Sequence, residues 1–248
     1  MRVCQLNVWM GKVEGELERF LQNNQFDVIC MQEVMHAHEP ETELHLSRLC
    51  VDASRLQKAS GMPHTYFSAN WSSKIANGKF DLGNLILSRI PIIEEKYFFV
   101  NGEYLPDVVL QSAPSNALCV QIVKLENGVT VLNHHGFWRK SPTGDENSVR
   151  AFNNLAEIIK REVDINEPLV LCGDLNVIHE SPAMRALDFL RDLTFENGVD
   201  NTLSGLKFNG KVACDHIMIN DRMRVKSFEV IQSMASDHLP VTAEMEVK

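Results

Sequence analysis

Leu169-Val170-Leu171-Cys172-Gly173-Asp174-Leu175-Asn176 is the stretch on which the fold turns. Pro168–Gly173 is a short apolar run, which reads as a buried strand. The run stops at Gly-Asp-x-Asn, a turn-forming tetrad that carries two oxygen-bearing side chains. A buried strand that ends in polar chemistry implies a sheet with a functional edge. The rest of the chain repeats that pattern.

Upstream, Val3–Val8 and Asp27–Val34 read as strands, the second rich in Val, Ile and Met. Glu14–Gln22 reads as a helix with Leu17, Phe20 and Leu21 on one face. Glu41–Ala59 reads as one longer helix with apolar Leu44, Leu49, Leu56 and Ala59, stopped by Gly61 and Pro63. Tyr66–Ala69, Gly83–Ser88, Ile92–Val100, Ala117–Leu125 and Val129–His134 have strand character. Asn127-Gly128 is a hairpin signal between the last two. Arg139–Asn147 is a polar loop and Ser148–Glu162 a helix. Pro182–Leu190 reads as a helix, with Ser181 as N-cap and Pro182 at its first position. Val212–Ile219, Val225–Ile231 and Val241–Val247 are the closing strands. Hairpins mixed with crossover segments predict an α/β sandwich whose helices cover its sheets. Neither a linker nor a repeat interrupts residues 1–248, so one domain is expected.

Composition bounds the function. The 248 residues are 44% hydrophobic and 23% charged, an ordinary globular balance. Twenty-four basic against 33 acidic residues leave a net charge of −9. That excludes a general nucleic-acid coat, which needs a basic surface. It leaves room for an enzyme that grips one phosphate through a bound cation, which reverses the local charge. Of six cysteines, Cys4, Cys30, Cys119, Cys172 and Cys214 lie in apolar runs, and none forms a Cys-x-x-Cys pair. A reduced, cytoplasmic protein is expected, with no membrane span and no targeting segment.

Four stretches are set aside. Gly205-x-x-x-x-Gly210-Lys211 lacks the following Ser or Thr and runs into a strand pattern. His36-Ala37-His38-Glu39 has Thr42 where a zinc helix needs a second histidine, and Pro40 breaks the helix. His179-Glu180 fails likewise at Ala183. Arg222, Arg224 and Lys226 alternate along a strand and read as its solvated face.

The remaining polar clusters each sit at the end of an apolar run. They are Asn7, Glu33, His134-His135, Asp174 to Asn176, and Ser236-Asp237-His238, with Asp215-His216 inside a strand pattern. Carboxylates and amide oxygens suit Mg²⁺ or Mn²⁺. Histidines carry protons or bind phosphate near neutral pH. Each cluster alone has a plain structural reading. Gly-Asp-x-Asn is usually just a turn, and a Glu ending a strand is usually solvated. His134 and His135 point to opposite faces, so only one can serve a given site. A buried Asp215 needs a partner, which His238 can supply on structural grounds alone.

Taken in order, Leu6-Asn7-Val8-Trp9, Met31-Gln32-Glu33-Val34, Gly83-Asn84-Leu85-Ile86-Leu87-Ser88, Asn133-His134-His135, Cys172-Gly173-Asp174-Leu175-Asn176, Asp215-His216-Ile217 and Ser236-Asp237-His238-Leu239-Pro240 resemble the successive signatures of the endonuclease/exonuclease/phosphatase superfamily. The resemblance runs from residue 7 to residue 240. It implies a DNase I-like fold, a four-layer α/β/β/α sandwich of two mixed sheets flanked by helices. It also implies a Mg²⁺ cofactor, or Mn²⁺ in its place, and hydrolysis of a phosphoester by in-line attack of water. By the same resemblance Glu33, Asn7 and Asp237 serve the metal, while His135, Asp174, Asn176, Asp215 and His238 form the catalytic set. His135 contacts a phosphate oxygen. Asp174 aligns or deprotonates water, with Asn176 orienting it. Asp215 fixes the tautomer of His238, which meets the scissile phosphate. Whether Asp174 or His238 is the base stays open.

His135 sets the chain apart from the apurinic-site branch and likens it to the deoxyribonuclease, deadenylase, sphingomyelinase, inositol-phosphatase and tyrosyl-DNA phosphodiesterase branches and to small bacterial members. Substrate contacts are expected from Trp9, Trp71, Asn84, Trp138 and Arg139, because the three tryptophans each sit near a base in a candidate loop. Two substrate classes stay open: a nucleic acid or nucleotide, and a small-molecule or lipid-headgroup phosphoester. A non-catalytic binding module is the third reading.

Overall fold

Alternation along each strand divides its side chains between two cores. In β1 (Arg2–Asn7), Val3, Gln5 and Asn7 share one face, and Cys4 and Leu6 the other. Cys4 and Leu6 join an outer core with Leu17, Phe20 and Leu21 of α1 (Glu16–Asn23). Val3 joins an inner core with residues of β2 (Val28–Ala37), β8 (Leu169–Asp174), β10 (Asp215–Ile219) and β12 (Val241–Val247). The computed structural model describes residues 1–46, 50–75, 78–109, 117–207 and 210–248.

The remaining strands are β3 (His64–Ile75), β4 (Gly78–Ser88), β5 (Ile92–Asn101), β6 (Leu118–Leu125), β7 (Thr130–His135), β9 (Arg191–Asp192) and β11 (Met223–Val230). One six-stranded sheet has the order β11-β12-β1-β2-β4-β3, the other β5-β6-β7-β8-β10-β9. Both are mixed: β1 runs parallel to β2 and β7 parallel to β8, while the other pairings are antiparallel. The inner core lies between them. On the outside, α1 and α3 (Ala53–Ser60) cover the first sheet. The second is covered by α4 (Glu146–Glu162), through Phe152, Leu155 and Ile159. The four layers are those expected from the sequence.

Several boundaries differ, each for a local reason. The single helix expected over Glu41–Ala59 is two, α2 (Pro40–Leu46) and α3. Asp52 forces the break: its Oδ1 caps Ser54 N–H at 2.7 Å, and its Oδ2 accepts Ala37 N–H of β2 at 2.6 Å. Leu49, counted on that helix's apolar face, lies outside the described residues. Tyr66–Ala69 and Gly83–Ser88 are the inner halves of a longer pairing of β3 with β4, which runs out to Ile75↔Gly78. Pro182–Leu187 is a 3₁₀ rather than an α-helix, although Ser181 caps it as expected. Val212–Cys214 does not pair, and β10 starts at Asp215. α4 begins earlier than Ser148, because Asp145 and Ser148 close a reciprocal capping box. A short α5 (Leu193–Glu196) follows β9. All six cysteines are buried. Among the described residues no helix is long and apolar enough to cross a membrane.

Candidate active site

Five strands bring their functional ends to one rim. β1 and β2 reach it side by side, with Asn7 opposite Gln32. In the other sheet His135 lies opposite Asp174, and Asp174 opposite Asp215. The inner faces grade from apolar to polar as they approach the rim: Val3, Gln5, Asn7; Val131, Asn133, His135; Val170, Cys172, Asp174; Ile219, Ile217, Asp215.

Glu33 arrives by a different device. Met31 and Val34 both pack in the outer core, three positions apart rather than two, and the register slips between them. The extra residue of this bulge is Glu33, with φ at +56°. The bulge turns its carboxylate to the rim instead of the helices.

The side chains converge closely. Asn7 Nδ2 donates to Asp174 Oδ2 at 2.9 Å and to Glu33 Oε1 at 3.2 Å. Asn7 Oδ1 accepts Trp9 N–H at 2.9 Å, so here the amide spaces two carboxylates and its oxygen is turned to the backbone. Around Asp174 Oδ2 lie His135 Nε2 at 3.6 Å and His238 Nε2 at 3.7 Å. Asp174 Oδ1 accepts Asn176 N–H at 3.0 Å, while Asn176 Nδ2 donates to Gly136 O at 3.0 Å. That turn demands glycine at 136, because a Cβ would stand 2.1 Å from Leu175 O. His238 Nδ1 lies 2.8 Å from Asp215 Oδ2, which also accepts the Thr202 hydroxyl at 2.6 Å. Ser236 donates to Asn7 O at 2.7 Å and ties the Asp237-His238 loop to β1.

The charges are coupled. Burial alone would lower the His238 pKa, yet the Asp215 and Asp174 carboxylates hold it well above the usual histidine range. Burial alone would raise Asp215, and His238 with its hydrogen-bond donors keeps it low. The pair is therefore an imidazolium–carboxylate pair at neutral pH. Burial raises Asp237; His238 and Lys207 partly offset this, and nearby Glu33 raises it further. Glu33 and Asp237, two carboxylates at an open rim, form a hard-oxygen set suited to a divalent cation. Asp174, Cys214 and His238 also place ligand atoms within 4.8 Å of one another. Burial drives the Cys214 thiol far up, so it stays protonated and is a poor partner for a hard ion.

A cleft of about 490 Å³ opens on this rim. Glu33, His135, Asp174, Asn176, Asp237 and His238 form its polar floor, and Met10, Trp71, Leu82, Leu118, Leu203 and Val212 its apolar walls. Of the expected substrate contacts, Trp71, Trp138 and Arg139 line it. Trp71 does so from within β3, not from a loop, and packs edge-on to Phe80. Trp138 is 54% exposed at the mouth. Arg139 stacks on Phe137 at 3.9 Å, with Nε 2.7 Å from Asp145 Oδ2 but not aligned for a hydrogen bond. The other two expected contacts lie elsewhere. Asn84 is fully buried and donates to Cys119 O at 3.1 Å, because its strand position faces the other sheet. Trp9 lies outside the cleft lining, with Lys12 and Lys207 over its ring. Lys140, from the same loop as Trp138 and Arg139, lines it too, and Lys207 and Asn70 line the cleft and were missed. Lys207 lies 3.7 Å from Asp237. A lone lysine in a Gly-flanked loop carries no sequence signal of such a place.

Backbone strain gathers here too. Among the described residues, Trp9, Met10, Glu33, Asp107 and Asn176 are the non-glycines with positive φ. Four of these five belong to the rim, where left-handed backbone re-aims side chains at a local energetic cost.

A two-sheet α/β/β/α sandwich with an acid, histidine and amide constellation at one rim defines the class. The chain belongs to the endonuclease/exonuclease/phosphatase family, whose sequence model matches residues 4–238. The endonuclease/exonuclease/phosphatase from Bacteroides vulgatus superposes with a TM-score of 0.71 at 18% identity, over 100% of this chain and 98% of that one. The one from Beutenbergia cavernae gives 0.70 at 19% identity, over 100% and 71%. A mannosyl-6-phosphatase from Bacteroides thetaiotaomicron gives 0.68 at 17% identity, over 99% of each chain. At these identities the likeness carries the fold. No curated protein matches the sequence.

Proposed function

We propose that the protein is a Mg²⁺-dependent hydrolase of a compact phosphoester, with Mn²⁺ as the substitute metal. The carrying observation is the gathering of Asn7, Glu33, His135, Asp174 and His238 around one point of the rim. Phosphoryl transfer asks for positioning of an attacking water and neutralisation of charge on nonbridging oxygens. Glu33 and Asp237 would hold the metal, which when bound supplies Lewis acidity to the phosphate. Asn7 would set the spacing of Glu33 and Asp174. Cationic His238 and neighbouring His135 would donate to phosphate oxygens, and Asp174 would align or deprotonate the water, held by Asn176.

The cleft bears on the substrate. Trp138, Arg139, Lys140 and Lys207 line it. A nucleotide phosphodiester, with a flat base and one or two phosphates, fits that lining. The net charge of −9 argues against a long polynucleotide track. A small-molecule phosphate ester is the second reading, supported by the likeness in fold to the mannosyl-6-phosphatase. We place the protein in the cytoplasm on its buried thiols Cys4, Cys30, Cys119, Cys172 and Cys214, none of them in a disulfide.

The test is a panel of phosphodiesters and monoesters assayed with Mg²⁺, Mn²⁺ and EDTA. Turnover should require metal, and Glu33→Gln should raise the metal concentration needed by about 10-fold or more. Undiminished turnover in EDTA, or none on any ester, would overturn the reading.

A further inference from the structure

A line of buried amides crosses the sandwich and ends on the carboxylate that holds His238. Gln5 and Gln32 come from one sheet, Gln121 and Asn133 from the other, and all are fully buried. Gln121 Nε2 anchors one end of the line, donating to the backbone carbonyls of Tyr66 at 2.9 Å and Asn84 at 3.1 Å. Asn133 Nδ2 donates to Gln121 Oε1 at 2.9 Å, and Gln32 Nε2 to Asn133 Oδ1 at 2.6 Å. Gln32 and Gln5 exchange hydrogen bonds, at 2.8 and 2.6 Å. Gln5 Nε2 then spends its second proton on Asp215 Oδ1, at 3.3 Å.

That last bond is placed to matter. Thr202 and His238 both donate to Oδ2 of Asp215, and Gln5 is the side chain that donates to Oδ1. A carboxylate gripped at one oxygen can still swing about its Cβ–Cγ bond. Gripped at both, it has one orientation, and the imidazole on it inherits that orientation. Gln5 itself cannot drift, because Gln32 holds its amide from both ends and Asn133 holds Gln32. The geometry points to Gln5 as a positioning residue that sets the ring of His238 through Asp215 while lying outside the cleft. This rests on the proposed role of His238. A purely structural role, stapling the two sheets together, would be shared by every amide in the line.

The test therefore compares two ends of the line. Gln5→Met keeps the volume and removes both donors, and the double variant Gln5→Met/Gln32→Met also removes the amide left unpaired. Gln121→Met breaks the line far from Asp215. The Gln5 variants should lower kcat about 10- to 100-fold with KM within about twofold, as expected for a supporting partner of a site residue. Gln121→Met should lower the unfolding midpoint yet keep kcat. Ring ¹⁵N shifts of His238 should move in both Gln5 variants and stay put in Gln121→Met. Equal losses of kcat in all three, or an unmoved His238 spectrum in folded Gln5→Met, would overturn the inference. Absence of turnover in the wild type would instead strike the phosphoesterase reading, and the His238 spectra would still decide the role of Gln5.

Discussion

The space between the sheets is built in two halves. The half away from the rim is closed by Val3, Val28, Cys30, Val131, Val170, Cys172, Ile217, Ile219, Val241 and Ala243, all buried. The half toward the rim holds five amides and then the ionisable groups. Apolar packing is non-directional and close to proportional to buried area. Buried amides are directional and costly unless paired. The first half therefore supplies stability without constraining orientation. The second gives up part of that stability and constrains orientation. Asn84 Oδ1 marks the limit of the arrangement, as it is buried and finds no partner.

The sharpest break in this comparison sets substitutions at the rim against one in the apolar half. His238→Ala, or Asp174→Ala, at the rim should reduce turnover by about 10³-fold, within the range that acid–base and electrostatic groups contribute. His238→Ala also leaves the buried Asp215 carboxylate without its imidazolium and so costs stability as well, which is why turnover is compared in folded protein. Ile217→Ala lies two residues below Asp215 on the same face of β10, wholly buried. It should cost about 2–5 kcal/mol of stability and keep kcat where the protein stays folded. Activity assays beside urea titrations read both. Wild-type kcat in His238→Ala, or a tenfold loss of kcat in folded Ile217→Ala, would erase the division.

Two buried histidines make the same contrast in pH. His134 donates from Nδ1 to Cys119 O, at 3.1 Å. Burial pushes its pKa down to about 4. Between that value and the ordinary histidine value of 6.5 the unfolded chain takes up a proton that the folded chain refuses. Stability from this group is thus complete above 6.5 and falls as pH falls, by on the order of 3 kcal/mol. His216 is the opposite case. Its Nδ1 meets Asp192 Oδ2 and its Nε2 meets Val177 O, each at 2.9 Å. Both partners only accept, so both ring nitrogens carry protons. Burial opposes the charge, but Asp192 outweighs it and the pKa is raised. Its stabilisation is full below 6.5 and fades as pH climbs through the raised value. Urea midpoints from pH 4.5 to 8 should show wild type losing ground to His134→Gln on the acid side only. Equal acid slopes would refute the assignment of a neutral His134.

Much of this was legible in the sequence because period-two patterns survive folding unchanged. Val170, Cys172 and Asp174 alternate with Leu169 and Leu171 in the chain and in the sheet alike. The turn chemistry of Asn127-Gly128 and Ser181-Pro182 is equally local. The strand-end positions of Asn7, His135 and Asp174 followed from the same reading. What stayed hidden depends on contacts remote in sequence. Asp52 breaks a helix because Ala37 needs an acceptor. Glu33 reaches the rim because a bulge displaces it. Lys207 reaches the cleft through a loop with no periodicity at all. Asn84 was misplaced because strand alternation does not tell which face meets the partner sheet.

The smallest expected effect separates two tryptophans of the same cleft. Trp71 is 7% exposed and packs against Phe80, inside a small core with Met35 and Cys50. Trp138 is 54% exposed and lies at the mouth. Removing a buried indole leaves a cavity, so Trp71→Ala should cost about 3–5 kcal/mol of stability. An indole that is half in water loses little on truncation in the free protein. Its value appears only when a flat substrate group covers it, and base stacking on an aromatic contributes about 1–3 kcal/mol. Partial exposure puts Trp138 at the low end, so Trp138→Ala should raise KM about fivefold. Its kcat and unfolding midpoint should stay as in wild type. The rise should hold for an ester with an aromatic group and vanish for a sugar phosphate. A rise of equal size for both would mean that Trp138 shapes the mouth without stacking, and the nucleotide reading would then yield to the small-molecule one.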